Sequence, residues 1–282
     1  MTATTQPTPA DQPADPPSEP PTDPPTDDAV LHAARAASFN SAAAQYAANR
    51  PSYPPALFDA VEELAGRSLS GARTVDVGAG TGIASALLHA RGADVLAVEP
   101  GAGMAAEFRR TLPHIPLVRG SGDALPVTDS HADLLTYAQA WHWTDPARSV
   151  PEALRVLRPG GALALWWNTD APDVEWIARA AARAARFLGV DVAAEKRKAG
   201  DRIERADPSG RLDFARRTVR WSRRVPIDTH LANIGSHSAF LLTPEDRRTA
   251  FLEAERAHLL DVFPDAVVEE TYDVLLLVAR KP

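Results

Sequence analysis

An α/β fold built on a mostly parallel sheet is predicted by three features of the chain. First, a β-branched run, Thr74-Val75-Asp76-Val77, breaks into Gly78-Ala79-Gly80-Thr81-Gly82 and then into a helix-forming segment, which reads as strand, tight loop, helix. Second, apolar strands and helical patterns alternate from there to Asn168, the rhythm of βαβ units. Third, the pattern changes at Asp170 into an arginine-bearing helix, an alternating strand and further helical stretches before a last strand, which suits a cap added to a core sheet. With 45% hydrophobic residues in 282, the chain has ample material for a core.

In chain order, residues 1–28 repeat Pro, Thr, Asp, Gln and Ser with no Lys or Arg, so they bury too little to offset the entropy of ordering and are expected to be disordered. Residues 29–65 turn Ala-rich and hold two helices separated by Arg50-Pro51-Ser52-Tyr53-Pro54-Pro55, where Pro54 or Pro55 can open the second. Together with residues 66–282 they make one domain, in which residues 170–263 are partly cap. After the glycine loop come the helix Ile83 to Ala90 with Gly92 as its stop, the strand Asp94 to Val98, the helix Ala102 to Leu112, and a short strand at Leu117-Val118. A fourth strand, Ala132 to Ala138, runs into Gln139-Ala140-Trp141-His142-Trp143, and a fifth is the apolar run Ala162 to Asn168. Beyond it, Asp173 can cap a helix ending at Gly189, and strands Phe214–Val225 and Val267–Val278 should pair at the sheet edge.

Right-handed crossovers bring every carboxyl end of a parallel strand to one edge, where ligands bind. Glycines in the first loop allow backbone to approach a ligand and to adopt positive φ. Ile83 follows Gly82, so the pyrophosphate-binding glycine pattern is not met. Glu99, at the end of the second strand, can accept both hydroxyls of a ribose. A loop without an anion cradle plus a ribose-gripping acid suits adenosyl-methionine better than a dinucleotide. Asp123 can accept an exocyclic adenine amine, or merely stabilise its own turn. His142, between Trp141 and Trp143, can orient or deprotonate an acceptor, with His237 as a second candidate. Arg50, Tyr46 and Tyr53 can face the ligand from the proline-stiffened corner, and the aromatics Trp141, Trp143 and Trp167 can wall a substrate pocket.

These motifs resemble the class I adenosyl-methionine-dependent methyltransferases, specifically the small-molecule group that includes type 11 and trans-aconitate-like enzymes. The resemblance rests on Val75-Asp76-Val77-Gly78-Ala79-Gly80-Thr81-Gly82, Val98-Glu99-Pro100, Gly122-Asp123-Ala124-Leu125-Pro126, Gln139-Ala140-Trp141-His142-Trp143 and Arg155-Val156-Leu157-Arg158-Pro159-Gly160-Gly161. It implies a Rossmann-like seven-stranded mostly parallel sheet flanked by helices, with N-terminal helices and a helical cap. It also implies S-adenosyl-L-methionine as cofactor and S-adenosyl-L-homocysteine as product. Asp76, Gly78, Ala79 and Gly80 would serve the methionine end, Glu99 the ribose, and Pro100, Asp123 and Ala124 the adenine. Gln139 would lie beneath the sulfonium and Arg50 near the cofactor's carboxylate.

A net charge of −7 argues against a general affinity for nucleic acid or anionic membrane. The arginines between residues 179 and 224 nevertheless make that region locally basic, which would attract an anionic small molecule or, as an alternative, RNA. A non-catalytic adenosyl-methionine-binding protein is a further alternative. With no cysteine there is no disulfide, thiolate nucleophile or cysteine-ligated metal, and no metal site is expected. The amino-terminal residues lack the basic and apolar regions of a secretion signal and no run reaches membrane-spanning length, so cytoplasmic residence is the expectation.

Overall fold

The computed structural model describes residues 47, 49–190 and 205–282. The polar segment 1–28, Tyr46, and the basic residues Lys196, Arg197, Lys198 and Arg202 lie outside the described residues. The elements are α1 (Pro55–Ala65), β1 (Arg73–Val77), α2 (Ile83–Ala90), β2 (Asp94–Val98), α3 (Ala102–Thr111), β3 (Leu117–Val118), β4 (Ala132–Ala138), α4 (Pro146–Val156) and β5 (Leu157–Asp170). They continue as α5 (Glu175–Leu188), β6 (Phe214–Pro226), α6 (Ile227–Gly235), α7 (Ser238–Leu241), α8 (Glu245–Val262) and β7 (Val267–Arg280).

The sheet has seven strands in the order β3-β2-β1-β4-β5-β7-β6. Its first five strands pair in parallel, while β7 runs antiparallel to both β5 and β6. The strand order reverses between β1 and β4, and that switch point opens a crevice at the carboxyl edge.

Alternate residues of each strand serve opposite faces, as the two-residue period of a strand requires. On β5, Leu163, Leu165 and Trp167 join the cluster under α4, while Ala162, Ala164 and Trp166 join the one under α1 and α2. Both faces are therefore apolar, which is why β5 reads as a continuous hydrophobic run. A third, smaller cluster of Ile227, Leu231, Leu259 and Val268 holds α6 and α8 to the end of β7.

Pro55 opens α1 at its first position and Gly66 closes it in the left-handed conformation. The strand β5 starts at Leu157, ahead of the expected Ala162, because Gly160 N and Lys281 N bond to carbonyls across the strand ends and draw the Pro-Gly-Gly turn into the sheet. Asp173 does not cap α5, whose cap position is Val174; its carboxylate instead accepts two hydrogen bonds from Arg220 at 2.7 and 2.8 Å. Ion pairing with a neighbouring strand thus wins over the local cap.

Candidate active site

At the carboxyl edge, the loop from β1 to α2 bends through three glycines of positive φ: Gly78 at 65°, Gly80 at 59° and Gly82 at 94°. A Cβ on Gly78 would stand 2.5 Å from the Ala140 Cβ, so only glycine lets the loops after β1 and β4 touch. Beneath the loop, buried Asp76 accepts hydrogen bonds from Ser85 Oγ at 2.6 Å and Thr136 Oγ1 at 2.8 Å, tying β1 to α2 and β4. Desolvation pushes its carboxyl up to about 6, even though both hydroxyls favour the charged form.

Above the loop lies a cavity of about 460 Å³. Glu99 forms part of its wall, 6% exposed, and its two oxygens accept Gly80 N at 2.8 Å and Gly101 N at 2.6 Å. Burial raises its pKa, with the two backbone donors opposing that shift. A carboxylate has about four acceptor sites, so these two bonds hold it rigid and leave capacity for a diol. Met104 supplies an apolar side wall, and Gly122 another close backbone approach.

Of the other residues expected to hold a cofactor, Arg50, Pro100 and Gln139 line this cavity with Gly78 and Gly80. His142 and Trp143 line it as well, within and beside the single 3₁₀ turn that follows β4. Asp76 supports the loop from below instead of lining the cavity, and Ala79 packs on the core face. Asp123 does not line it: its carboxylate accepts Asp145 N at 2.9 Å and so braces the N-cap of α4, not its own turn, and Ala124 is exposed outside the wall.

The expected substrate aromatics divide. Trp143 faces the cavity, whereas Tyr53 stands edge-on to Trp166 in the core, centroids 5.9 Å apart. Trp141 is 3% exposed and donates from Nε1 to the Ala206 carbonyl at 3.1 Å, and Trp167 donates from Nε1 to His142 Nδ1 at 3.2 Å. These three are packing residues because their rings sit on the buried faces of the sheet; the same bond from Trp167 puts the proton of a neutral His142 on Nε2.

A second cavity, of about 190 Å³, adjoins the first under the cap. Arg50, Gln139, Asn168 and His237 line both. Gln139 leaves β4 with φ 58°, a left-handed conformation costly for a side-chain-bearing residue, and so sits at the junction. His237 exposes surface and lines both spaces; the surrounding protein and nearby Arg50 push its imidazole down to about 3, so it is neutral at physiological pH. The far wall comes from the cap and the ends of β5 and β7, with Trp176, Phe240 and Phe251 among its apolar members. Its polar members include Asp170, His230 and Tyr272, none of which stood out in the sequence. Asp170 was findable by the rule that selects Glu99, since it ends β5 at the same edge.

The arginines of the cap region are largely paired. Arg183 donates from Nε to Glu255 at 2.7 Å, Arg220 bonds Asp173 and Asp273, Arg223 bonds Glu270, and Arg179, Arg217 and Arg224 pair with Glu175, Glu63 and Asp265. The basic face read from the sequence is therefore mostly neutralised within the described residues. Among the described residues no group of three or more metal-binding side chains is placed to hold an ion, and no helix is long and apolar enough to cross a membrane.

A glycine loop at a parallel-sheet switch point, a fixed carboxylate at the next strand end, and a crevice of this size without a phosphate cradle define an adenosyl-methionine-binding site. The methyltransferase-domain family matches residues 75–165. An uncharacterized methyltransferase of Mycobacterium tuberculosis strain H37Rv is 36% identical over 78% of this chain and 84% of its own. One of Schizosaccharomyces pombe is 31% identical over 53% of this chain and 59% of its own. Among solved structures, one given as a type II methyltransferase from Anaeromyxobacter dehalogenans superposes with a TM-score of 0.58 at 25% identity, covering 82% of this chain and 97% of that one. The chain belongs to the adenosyl-methionine-dependent methyltransferases.

Proposed function

We propose that this enzyme methylates a small molecule seated in the second cavity, with its nucleophile reaching the cofactor across the Gln139–His237 junction. The observation that carries this reading is the pair of adjoining cavities sharing four residues, one at the strand ends and one enclosed by the cap. When bound, S-adenosyl-methionine supplies a methyl group on a positively charged sulfur, which an acceptor displaces in line with release of its own proton.

The chain's residues then have alignment and water exclusion as their main tasks. Glu99 grips the ribose, and Arg50 meets the cofactor's carboxylate. Gln139 and Asn168 hold the reacting ends at the junction. His237, neutral and reaching both spaces, accepts a hydrogen bond from the acceptor's nucleophile and so aims it; its lowered pKa makes it a poor proton acceptor, and His142, with Nδ1 engaged by Trp167, presents an Nε2–H that orients. The roles sequence reasoning gave to the two histidines are thereby reversed in rank. An acceptor that is itself small and enclosed fits the 190 Å³ space, and the paired arginines give an anionic acceptor little free positive charge to meet.

Calorimetry with adenosyl-homocysteine on Glu99→Ala is expected to show at least a tenfold loss of affinity, about 1.4 kcal/mol. On an acceptor found by screening with labelled cofactor, His237→Ala should cut turnover strongly while cofactor affinity holds. Full turnover in His237→Ala together with collapse in His142→Ala would return the leading role in aiming the nucleophile to His142. Tight adenosyl-homocysteine binding with no turnover of any acceptor would instead favour a non-catalytic protein.

A further inference from the structure

Carboxylates and an unpaired amide oxygen on the wall of the second cavity bear on the chemistry of what it can hold. Three carboxylates line it: Glu255, Glu270 and Asp170. Glu255 is matched by Arg183, and Glu270 receives Arg223, His230 Nδ1 at 2.6 Å and the Tyr272 hydroxyl at 2.9 Å. Desolvation would raise Glu270, yet these partners together hold its pKa below the usual carboxylate value. Asp170 is exposed where β5 ends, and its side chain makes no hydrogen bond or ion pair among the described residues. Packing around its carboxyl pushes its pKa upward, and the nearby Glu270 charge adds to this against the pull of His230.

One more acceptor lacks a partner among the described residues. Tyr272 gives its proton to Glu270 and therefore receives Asn233 Nδ2 at 3.3 Å, which orients the amide and leaves the Asn233 Oδ1 unbonded and buried. His230 Nε2 is likewise buried and without a hydrogen-bond partner among the described residues. His230 and Asn233 are 8% and 5% exposed, so solvent does little to satisfy them. Unpaired polar atoms in such a place are costly. Arg50, the cation at the junction, is directed by the proposed function to the cofactor's carboxylate. What remains is one carboxylate and the Asn233 amide oxygen beside an apolar wall of Trp176, Ile177, Phe240 and Phe251.

Resting on the methyl-transfer reading above, we infer that the second cavity selects a small acceptor with an apolar or aromatic body and a protonated amine, and that Asp170 is its specificity-determining residue. An ammonium brings three donors and the counter-charge that Asp170 lacks, and aromatic faces favour a cation nearby. Because Asp170 lines the second cavity and not the first, the ammonium is an anchor at the far end, and the nucleophile is a different group of the same molecule, turned toward the junction.

The test uses three probes of matched shape on the full chain saturated with adenosyl-homocysteine: phenethylamine, 2-phenylethanol and 3-phenylpropanoate. Calorimetry is expected to rank the amine first and the carboxylate at least tenfold weaker. Asp170→Asn should lower amine affinity about tenfold or more while adenosyl-homocysteine affinity stays at its wild-type value. Should that variant fail to bind adenosyl-homocysteine, Asp170→Ser replaces it, and the ranking on wild-type protein stands as an independent test. Equal or tighter binding of the carboxylate, no binding of the amine, or an unchanged amine affinity in a folded Asp170 variant overturns the inference. Failure of wild-type protein to bind adenosyl-homocysteine at all would instead overturn the methyl-transfer reading, so the two failures are separable.

Discussion

Asp76 carries a charge into the core at a position where two hydroxyls, Ser85 and Thr136, are its hydrogen-bond donors. Its carboxyl titrates at about 6 in the folded protein against 3.8 for the ordinary group. Over that interval the folded chain holds a proton that the unfolded chain has lost, so stability rises as pH falls from neutrality toward 4. The difference is on the order of 3 kcal/mol. Denaturant titrations of cofactor-free protein across this range should show the wild type gaining on Asp76→Asn as pH drops, and parallel pH profiles would refute the assignment. Single residues differed in how legible they were. Glu99 and Gly78 stood out because a strand end and a turn each demand a particular residue type. Asp123 offered two readings of one residue type, and its bond to Asp145 N at the start of α4 is a third that only the fold brings about.

At the scale of elements, α5 and α8 close the second cavity through a short contact list. Buried Glu255 of α8, 2% exposed, takes both arms of Arg183 of α5, and Phe187 stacks on Phe240 and Phe251 at 5.6 and 4.5 Å between centroids. Removing one partner of a buried ion pair leaves the other without compensation, which costs about 3 kcal/mol where both are enclosed and less here, since Arg183 keeps 22% of its side-chain exposure. Glu255→Ala should loosen the cap by about 2 kcal/mol. Hydrogen exchange is expected to speed up in α5 and α8 and stay unchanged in β1 and β4; uniform acceleration would show that the pair serves the whole domain. The arginine spacing of α5 was readable from its sequence. Its alanine face, Ala180, Ala181 and Ala184, was not readable as a cavity wall, because small residues on a helix mean close packing or open space depending on what lies opposite.

For the whole molecule, the two edges of the sheet do different work. The carboxyl edge holds the site, while at the amino edge Asp133 gathers Arg67, Arg158 and the backbone N of Arg73, binding the starts of β1, β4 and β5. Desolvation opposes ionisation of Asp133, but these donors outweigh it and its pKa is lowered. The arginines are partly exposed, so the expected cost of Asp133→Ala is moderated to about 2 kcal/mol of global stability. Denaturant unfolding should show that loss, with adenosyl-homocysteine affinity at low temperature unaltered; a drop in affinity would mean that the edges are coupled.

By itself the sequence determined the order of strands and helices, the glycine loop, the carboxylate at the end of β2 and the cofactor, because each depends on neighbours a few residues away or on the one-edge rule of parallel strands. Tertiary structure alone decided that Tyr53, Trp141 and Trp167 are core, that Arg183, Arg220 and Arg223 are paired, and that the Asp170 side chain is not paired among the described residues. Pairing and burial are set by contacts between segments far apart in the chain, and a side chain's type does not say which partner the fold will bring to it. The second cavity belongs to that second kind, since β5, β7 and the cap helices meet only once the sheet is closed.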